Sequence, residues 1–371
     1  MNRSVLAILM LGAGAVSAAG PSLDDRKRDA QAAADGPSCR GLNFYWEIGN
    51  AAGEKRSGNG PGGSGGNQVR ADDPMLIASG GKWLYSAYVV EMRNGTPSSS
   101  DIPYLNFKSG YHSLRSCTFP LTPAADRTVY KCGEPGNNPK TDADAPEPLP
   151  EGGTVPGSFY YDSGHFEAHA ANEPSLLLAT QTAPALGGVI GGKLGMADLS
   201  YAGLVFAGDA RTTAASYGDF LQKVLKGRAD QAGGLKIGQL LGANDVCTST
   251  ATRMEGLKRV PVDCNLKDDR SDRSESVPPL PARLDDTGVL PDGSVSAPNG
   301  PPWRYSLGHF VEKDQTVSSP GLLGFYPWID ASRQWYGVLA RYQPVGLSYQ
   351  DSVVCGRAIR NAWLHARSTS P

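Results

Sequence analysis

Apolar and polar positions alternate with two different spacings along the chain, and each spacing predicts a different kind of element. Runs rich in aromatic and β-branched residues lie near both chain ends and predict strands. These strands are expected at residues 42–48, 303–311, 324–329 and 335–341. Apolar residues at helical spacing predict helices that begin near Ser79 and Glu167, cover residues 214–227 and include Ile359, Trp363 and Leu364.

The order of these elements predicts an α/β fold with strands at both chain ends and helices between them. We expect an antiparallel sheet of about five strands, flanked by helices, with an inserted helical subdomain. The sheet would come from residues 39–75 and 300–371, and residues 76–299 would form the helical and loop region. Together these form one domain, 39–371, which follows a leader at residues 20–38 that is charged and rich in Ala.

Three polar segments predict long connections. Residues 134–156 and 263–299 are rich in Pro and in polar residues, which is typical of loops. Residues 53–67 are rich in Gly and Ser, and they predict either the tip of a long hairpin or a flap.

The first 19 residues have the pattern of a secretory signal peptide. A basic start is followed by an apolar run at residues 5–16 and by small residues at 17–20. No later run approaches the roughly 20 apolar residues of a membrane span. We therefore expect an exported protein, secreted or periplasmic, without a transmembrane segment. The net charge of −2 and the lack of a basic stripe argue against nucleic acid as a partner.

Six cysteines in an exported chain indicate disulfides rather than a metal site. They show no C-x-x-C spacing, so we expect no zinc and no cofactor. Fifteen pairings are available, and we favour a set in which two bridges close loops and one ties the chain ends together. These are Cys117–Cys132, Cys247–Cys264 and Cys39–Cys355.

Ser79 and Lys82 carry the most informative chemistry in the sequence. They are three residues apart at the start of an apolar helix, so the two side chains share one face. A lysine at the mouth of a buried helix loses its proton readily, and a neutral amine can take the proton of a nucleophilic hydroxyl. The spacing S-x-x-K alone is weak, because chance produces about one match in a chain of this size.

Four segments in order resemble the serine β-lactamase and penicillin-binding superfamily, in particular its class C β-lactamase, D-alanyl-D-alanine peptidase and esterase branch. The segments are PMLIASGGKWLYSAYVV, FYYDSGHF, AGDARTTAASYGDFLQKVLKG and SSPGLLGFYPWID. The resemblance implies that Ser79 is the nucleophile, Lys82 its partner and Tyr161 the catalytic tyrosine, as phenol or phenolate. It also implies that the N–H groups of Ser79 and Leu322 stabilise the oxyanion.

The sequence departs from the family pattern at two substrate-binding positions. Ser163 replaces the usual Asn, and Ser319, followed by Pro320 and Gly321, replaces the usual Lys or His that begins the triplet. The missing cation normally binds a substrate carboxylate. The resemblance therefore implies an exported serine hydrolase that acts through an acyl-enzyme on a small ester, amide or peptide, rather than a strong β-lactamase.

Several alternatives stay open from the sequence. The chain could be a catalytically inactive binding or cell-envelope protein, associated with the cell wall, that has kept the scaffold. Ser163 in DSGH is a rival nucleophile, although it lacks the G-x-S-x-G pattern. His165 is either a functional group of the site or a packing residue, and His309 either supplies the lost positive charge or, as we favour, lies exposed on a strand. Trp83, Tyr85 and Tyr88 are expected in the core.

Overall fold

The computed structural model describes most of the chain outside the predicted signal peptide and long loops. The described residues are 20–62, 68–111, 127–132, 157, 159, 161–248, 252–255, 258–261, 303–344 and 348–369. The predicted signal peptide, the loops at 134–156 and 263–299, and two of the predicted disulfide partners, Cys117 and Cys264, lie outside these residues.

An antiparallel sheet of eight strands forms the centre of the molecule. In their order across the sheet the strands are β2 (Lys55–Asn59), β1 (Tyr45–Asn50), β13 (Trp335–Ala340), β12 (Tyr326–Ile329), β11 (Val317–Ser318), β10 (His309–Val311), β9 (Arg304–Ser306) and β6 (Val246–Cys247). Seven of the eight come from the two end regions of the chain, and β6 comes from the middle. The mixed α/β architecture with an antiparallel sheet agrees with the prediction, but the sheet is wider than five strands.

One of the additional strands arises at residues 303–311, where one strand was expected and a hairpin is present. The chain reverses at Leu307 and Gly308, whose φ angles are +41° and +82°. His309 then pairs with Ser306. A Cβ atom on Gly308 would lie 2.5 Å from the carbonyl oxygen of Lys82, so the turn packs directly against that helix. The run is rich in aromatic residues on both sides of the turn, so it resembles a single strand in the sequence.

A second, three-stranded sheet and a short hairpin complete the β structure. The second sheet has the order β3 (Met75–Leu76), β5 (Ala210–Thr212) and β4 (Ser200–Tyr201), and the hairpin joins β7 (Thr252–Glu255) to β8 (Lys258–Pro261). Because β3 pairs with β5, the residues just before Ser79 lie beside the residues that follow Ala207.

Eight α-helices are present among the described residues. They are α1 (Leu23–Ala34), α2 (Gly81–Met92), α3 (Asp101–Leu105), α4 (Val129–Cys132), α5 (Gly164–Asn172), α6 (Ala183–Leu194), α7 (Ala214–Arg228) and α8 (Ser348–Leu364). Single 3-10 turns lie at Pro37–Cys39, Ala78–Gly80, Pro174–Leu176 and Lys236–Leu240. The predicted leader therefore contains a helix, α1, which begins at a capping box between Ser22 and Asp25.

Helices cover both faces of the large sheet. On β13, Tyr336 faces α7, where it lies against Gly218, and Leu339 faces α8, where it lies against Gly356. Neighbouring odd and even positions of a strand point to opposite faces, so α7 and α8 lie on opposite sides. Helix α1 packs on α8, and Arg26 donates a 2.6 Å hydrogen bond to the carbonyl of Trp363.

A disulfide joins Cys39 to Cys355 across 316 residues of sequence, as the cysteine analysis predicted. Their Cα atoms are 4.8 Å apart, and both side chains are fully buried between the 3-10 turn at Pro37–Cys39 and α8. Cys132 is also disulfide-bonded. The bridge fixes the N-terminal segment to the C-terminal helix, as expected if both ends pack on the same sheet.

No helix in the described ranges is long and apolar enough to cross a membrane. Within the same residues, no group of three or more His, Cys, Asp or Glu side chains could hold a metal ion.

Candidate active site

Ser79 lies on the 3-10 turn that leads into α2. Ala78, directly before it, has a φ of +45°, a backbone conformation that residues other than glycine rarely adopt. Such a residue costs on the order of 1–3 kcal/mol and persists only where its surroundings hold it. Here Tyr217 donates to the carbonyl of Gly80 at 2.8 Å, and the N–H of Ile77 donates to the carbonyl of Ala210 at 3.0 Å. The turn is therefore fixed on both sides.

Lys82 lies in the first turn of α2 and reaches back to Ser79. Its Nζ donates to Oγ of Ser79 at 2.7 Å and to the carbonyl oxygen of Ala207 at 3.1 Å. The side chain is only 4% exposed, because α2 is apolar and buried on nearly every side. The i, i+3 spacing that the sequence suggested is therefore realised as a direct amine–hydroxyl contact.

Burial shifts the charge state of this lysine. Loss of solvent lowers the pKa of Lys82 to about 7, and the electrostatic influence of Asp162, with a smaller one from Glu167, opposes that shift only partly. An amine with such a pKa is neutral in about half of the molecules at pH 7. It can then accept a proton from the hydroxyl that it touches.

Tyr161 completes a cluster of three groups from distant parts of the chain. Nζ of Lys82 lies 4.5 Å from the centre of its ring. The ring stacks on Phe310 with centroids 5.3 Å apart and meets the edge of Tyr305 at 5.8 Å. Burial raises the pKa of Tyr161, while the nearby Ser79 side chain lowers it less. Of the two forms left open by the sequence, burial favours the phenol.

The segment from Ser319 to Leu322 lies beside the nucleophile. Oγ of Ser319 donates to the carbonyl of Ser79 at 2.8 Å. A Cβ atom on Gly321 would lie 2.1 Å from the carbonyl oxygen of Ile77, so only glycine permits this close approach. Leu322 follows with its side chain 46% exposed. Within the described part of the chain, the N–H groups of Ser79 and Leu322 donate to no acceptor, which leaves both available to a ligand.

The rival nucleophile Ser163 lies just before α5, and its surroundings differ. Its hydroxyl contacts Asp162 at 3.4 Å. His165 is fully buried, and its Nδ1 shares a 2.6 Å hydrogen bond with the hydroxyl of Ser109. No hydrogen bond joins Ser163 to His165, Ser79 or Lys82 among the described residues, so neither His165 nor Lys82 is placed to act as its base.

The expectation that His309 lies exposed on a strand is wrong. Its side chain is fully buried, its ring lies 5.2 Å from that of Trp83, and the N–H of Gly242 donates to its Nε2 at 3.1 Å. Burial lowers the pKa of His309 to about 3. A neutral imidazole cannot supply the positive charge that the family places at the triplet. Trp83, Tyr85 and Tyr88 are buried, which confirms them as core residues.

Two groups near the cluster had no signal in the sequence. One is the carbonyl of Ala207, which binds the amine of Lys82, and backbone groups leave no mark on a residue pattern. The other is Glu167, which is buried on α5 and acts electrostatically on Lys82. Its burial depends on tertiary packing, which the sequence pattern does not record.

Comparisons with known proteins place this geometry in a wider context. No protein-family model matches the sequence, and no curated protein matches it either. Solved structures do match. A D-amino acid amidase from Ochrobactrum anthropi is 12% identical, covers 91% of this chain and 99% of its own, and has a TM-score of 0.53. A penicillin-binding protein from Bacillus halodurans is also 12% identical, with coverage of 91% and 98% and a TM-score of 0.51. Simvastatin synthase from Aspergillus terreus is 10% identical, with coverage of 92% and 98% and a TM-score of 0.52.

Proposed function

Since the chain has the fold of the serine β-lactamase and penicillin-binding protein superfamily, we propose that it is an exported serine hydrolase that acts through an acyl-enzyme at Ser79. The observation that carries this proposal is the contact between the Ser79 hydroxyl and a buried amine whose pKa is close to neutrality. Fold alone does not specify an activity, so the proposal depends on this local chemistry.

In the acylation step, the neutral amine of Lys82 removes the proton of the Ser79 hydroxyl while Oγ attacks the substrate carbonyl carbon. The carbonyl π bond opens, and its oxygen becomes an oxyanion. The N–H groups of Ser79 and Leu322 would stabilise that oxyanion. Fixed donors of this kind lower the barrier by about 3–4 kcal/mol each.

The leaving group then needs a proton before it can depart. Tyr161 retains its phenolic proton at neutral pH, because burial raises its pKa, and its ring lies 4.5 Å from Nζ of Lys82. The phenol donates that proton to the departing oxygen or nitrogen, and the ammonium of Lys82 returns one to the phenolate. Water then attacks the acyl-Ser79 ester with the same groups acting in reverse, which regenerates the serine.

The charge around Ser79 favours substrates without a free carboxylate beside the scissile bond. Ser319 replaces the family's cation, and its hydroxyl is used in a hydrogen bond to the carbonyl of Ser79. His309 is neutral. Lys82 must itself be neutral to act as the base. An uncharged ester or amide therefore fits better than a β-lactam or a peptide that is read by its C-terminal carboxylate.

Turnover of a matched substrate set tests the proposal. We would compare neutral aryl esters, neutral amides and carboxylate-bearing D-peptides and β-lactams, with Ser79→Ala and Ser163→Ala proteins measured in parallel. We expect hydrolysis of the neutral substrates, loss of that activity in Ser79→Ala and retention in Ser163→Ala. A folded protein that hydrolyses none of them, and that a fluorophosphonate probe does not label, would instead support a binding protein that has kept the scaffold.

A further inference from the structure

Glu167 lies on α5 and is linked to the catalytic cluster by two hydrogen bonds in series. Its side chain is fully buried, and Oε1 accepts the N–H of Phe206 at 2.7 Å. The next residue, Ala207, offers the carbonyl oxygen that accepts the amine of Lys82 at 3.1 Å. The backbone of Phe206 and Ala207 therefore binds the carboxyl group of Glu167 through its N–H and the amine of Lys82 through its carbonyl oxygen.

The geometry assigns Glu167 a role as a positioning residue: by binding the N–H of Phe206 it fixes the Ala207 carbonyl that orients Lys82 toward Ser79. This inference rests on the proposed function, because it concerns the same reaction. Residues 202–209 are a connection between two short strands, β4 and β5. Among the described residues, its other hydrogen bonds join Ala202, Val205, Gly208 and Asp209 to one another, so Glu167 and Lys82 supply its hydrogen bonds to the helices. A connection of this kind needs a tether if its carbonyl is to hold a side chain within a fraction of an ångström.

The charge of Glu167 contributes less than its hydrogen bond. The titratable groups close enough to act on it electrostatically are Lys82 and Tyr85 of α2, Asp162 before α5 and Tyr201 of β4. Burial raises the pKa of Glu167 well above its usual range, and the positive charge of Lys82 lowers it less. A neutral carboxylic acid still accepts a hydrogen bond from the N–H of Phe206. The length of the Glu167 side chain, which places Oε1 at that N–H, therefore matters more than its ionisation.

Two conservative variants of Glu167 separate the effect of side-chain length from the effect of charge. Glu167→Asp keeps the acid but retracts it by about 1.5 Å, one carbon–carbon bond. Glu167→Gln keeps the reach and an acceptor oxygen but cannot ionise. We expect Glu167→Asp to lower kcat about 10-fold with little change in KM, because misplacement of a catalytic group by an ångström slows chemistry more than binding. We expect Glu167→Gln to stay within about 3-fold of wild type, with an unchanged pH midpoint.

The measurement is kcat and KM on a neutral ester from pH 5 to 9, with each rate divided by the concentration of sites that the probe labels. Glu47→Asp is the control, because Glu47 is another fully buried glutamate, bound by Tyr45 and Tyr336 on the large sheet. It should lose stability but keep kcat per labelled site.

The possible results separate the inference from the proposed function. A wild-type kcat per site in Glu167→Asp would overturn the positioning role while leaving the hydrolase intact. A shift of the pH midpoint by more than about half a unit in Glu167→Gln would also overturn it, since the charge would then be what acts on Lys82. Absence of labelling and hydrolysis in the wild type would remove the proposed function, and the inference with it.

Discussion

Protonation of Lys82 should switch off the acylation of Ser79, and the structure sets the pH at which this happens. A lysine with its usual pKa of 10.5 is neutral in about 3 of 10,000 molecules at pH 7. Burial lowers the pKa of Lys82 to about 7, which raises that share to about one half. The structure therefore supplies about 1,000-fold more of the active base than an exposed lysine would.

The direction of the pH effect follows from the form that reacts. The neutral amine is the base, so activity should be complete well above pH 7 and should fall about tenfold for each unit below pH 6. At pH 5 about 1% of the molecules would hold a neutral Lys82. Deprotonation of Tyr161 should not lower the activity below pH 9, because burial raises its pKa above the usual value of 10.

The assay is the rate at which an uncharged fluorophosphonate or aryl ester acylates the protein, followed from pH 5 to 9. Circular dichroism at each pH confirms that the protein remains folded. Lys82→Met serves as the control, since it keeps the length of the side chain without a titrating group, and its residual rate should lie at least 100-fold lower. A wild-type midpoint above pH 9, or a profile without a midpoint between pH 6 and 8, would refute the reasoning.

Three further predictions concern other parts of the structure. Tyr161→Phe should slow turnover of esters with poor leaving groups about 100-fold, measured by steady-state kinetics, and an equal effect on good and poor leaving groups would contradict its role as proton donor. Leu322→Pro removes a backbone N–H and should lower kcat about 100-fold or more, whereas Leu322→Ala should change it little; equal rates would exclude that N–H from the oxyanion site. Replacing both Cys39 and Cys355 with Ala should lower the free energy of unfolding by up to about 5 kcal/mol, measured with urea, because the bridge closes a loop of more than 300 residues. An unchanged unfolding midpoint would show that the ends are held without it.

The sequence predicted best those features that depend on neighbours along the chain. Ser79 and Lys82 are one helical turn apart, so their contact follows from helix geometry once the helix is placed. The apolar run after Lys82 predicted a buried helix, and burial is what lowers its pKa. The Cys39–Cys355 bridge followed from expecting both chain ends in one sheet.

Features that depend on tertiary packing could not be predicted in the same way. The hairpin at Leu307 and Gly308 interrupts a run that is rich in aromatic residues, and its turn is specified partly by contact with α2. The burial of His309 follows from that hairpin, since it brings the ring against Trp83. The links from Glu167 to Ala207 and Lys82 join three separate segments through backbone groups, which no spacing in the sequence records.

The most direct test of the account is to identify the residue that becomes covalently modified. Intact mass and peptide mapping after reaction with a slowly hydrolysed neutral ester would find one acyl group per molecule, on the peptide that carries Ser79. The account predicts that this adduct disappears in Ser79→Ala and that at pH 5 it forms about 50-fold more slowly than at pH 7. An adduct on Ser163, or one that persists in Ser79→Ala, would contradict it.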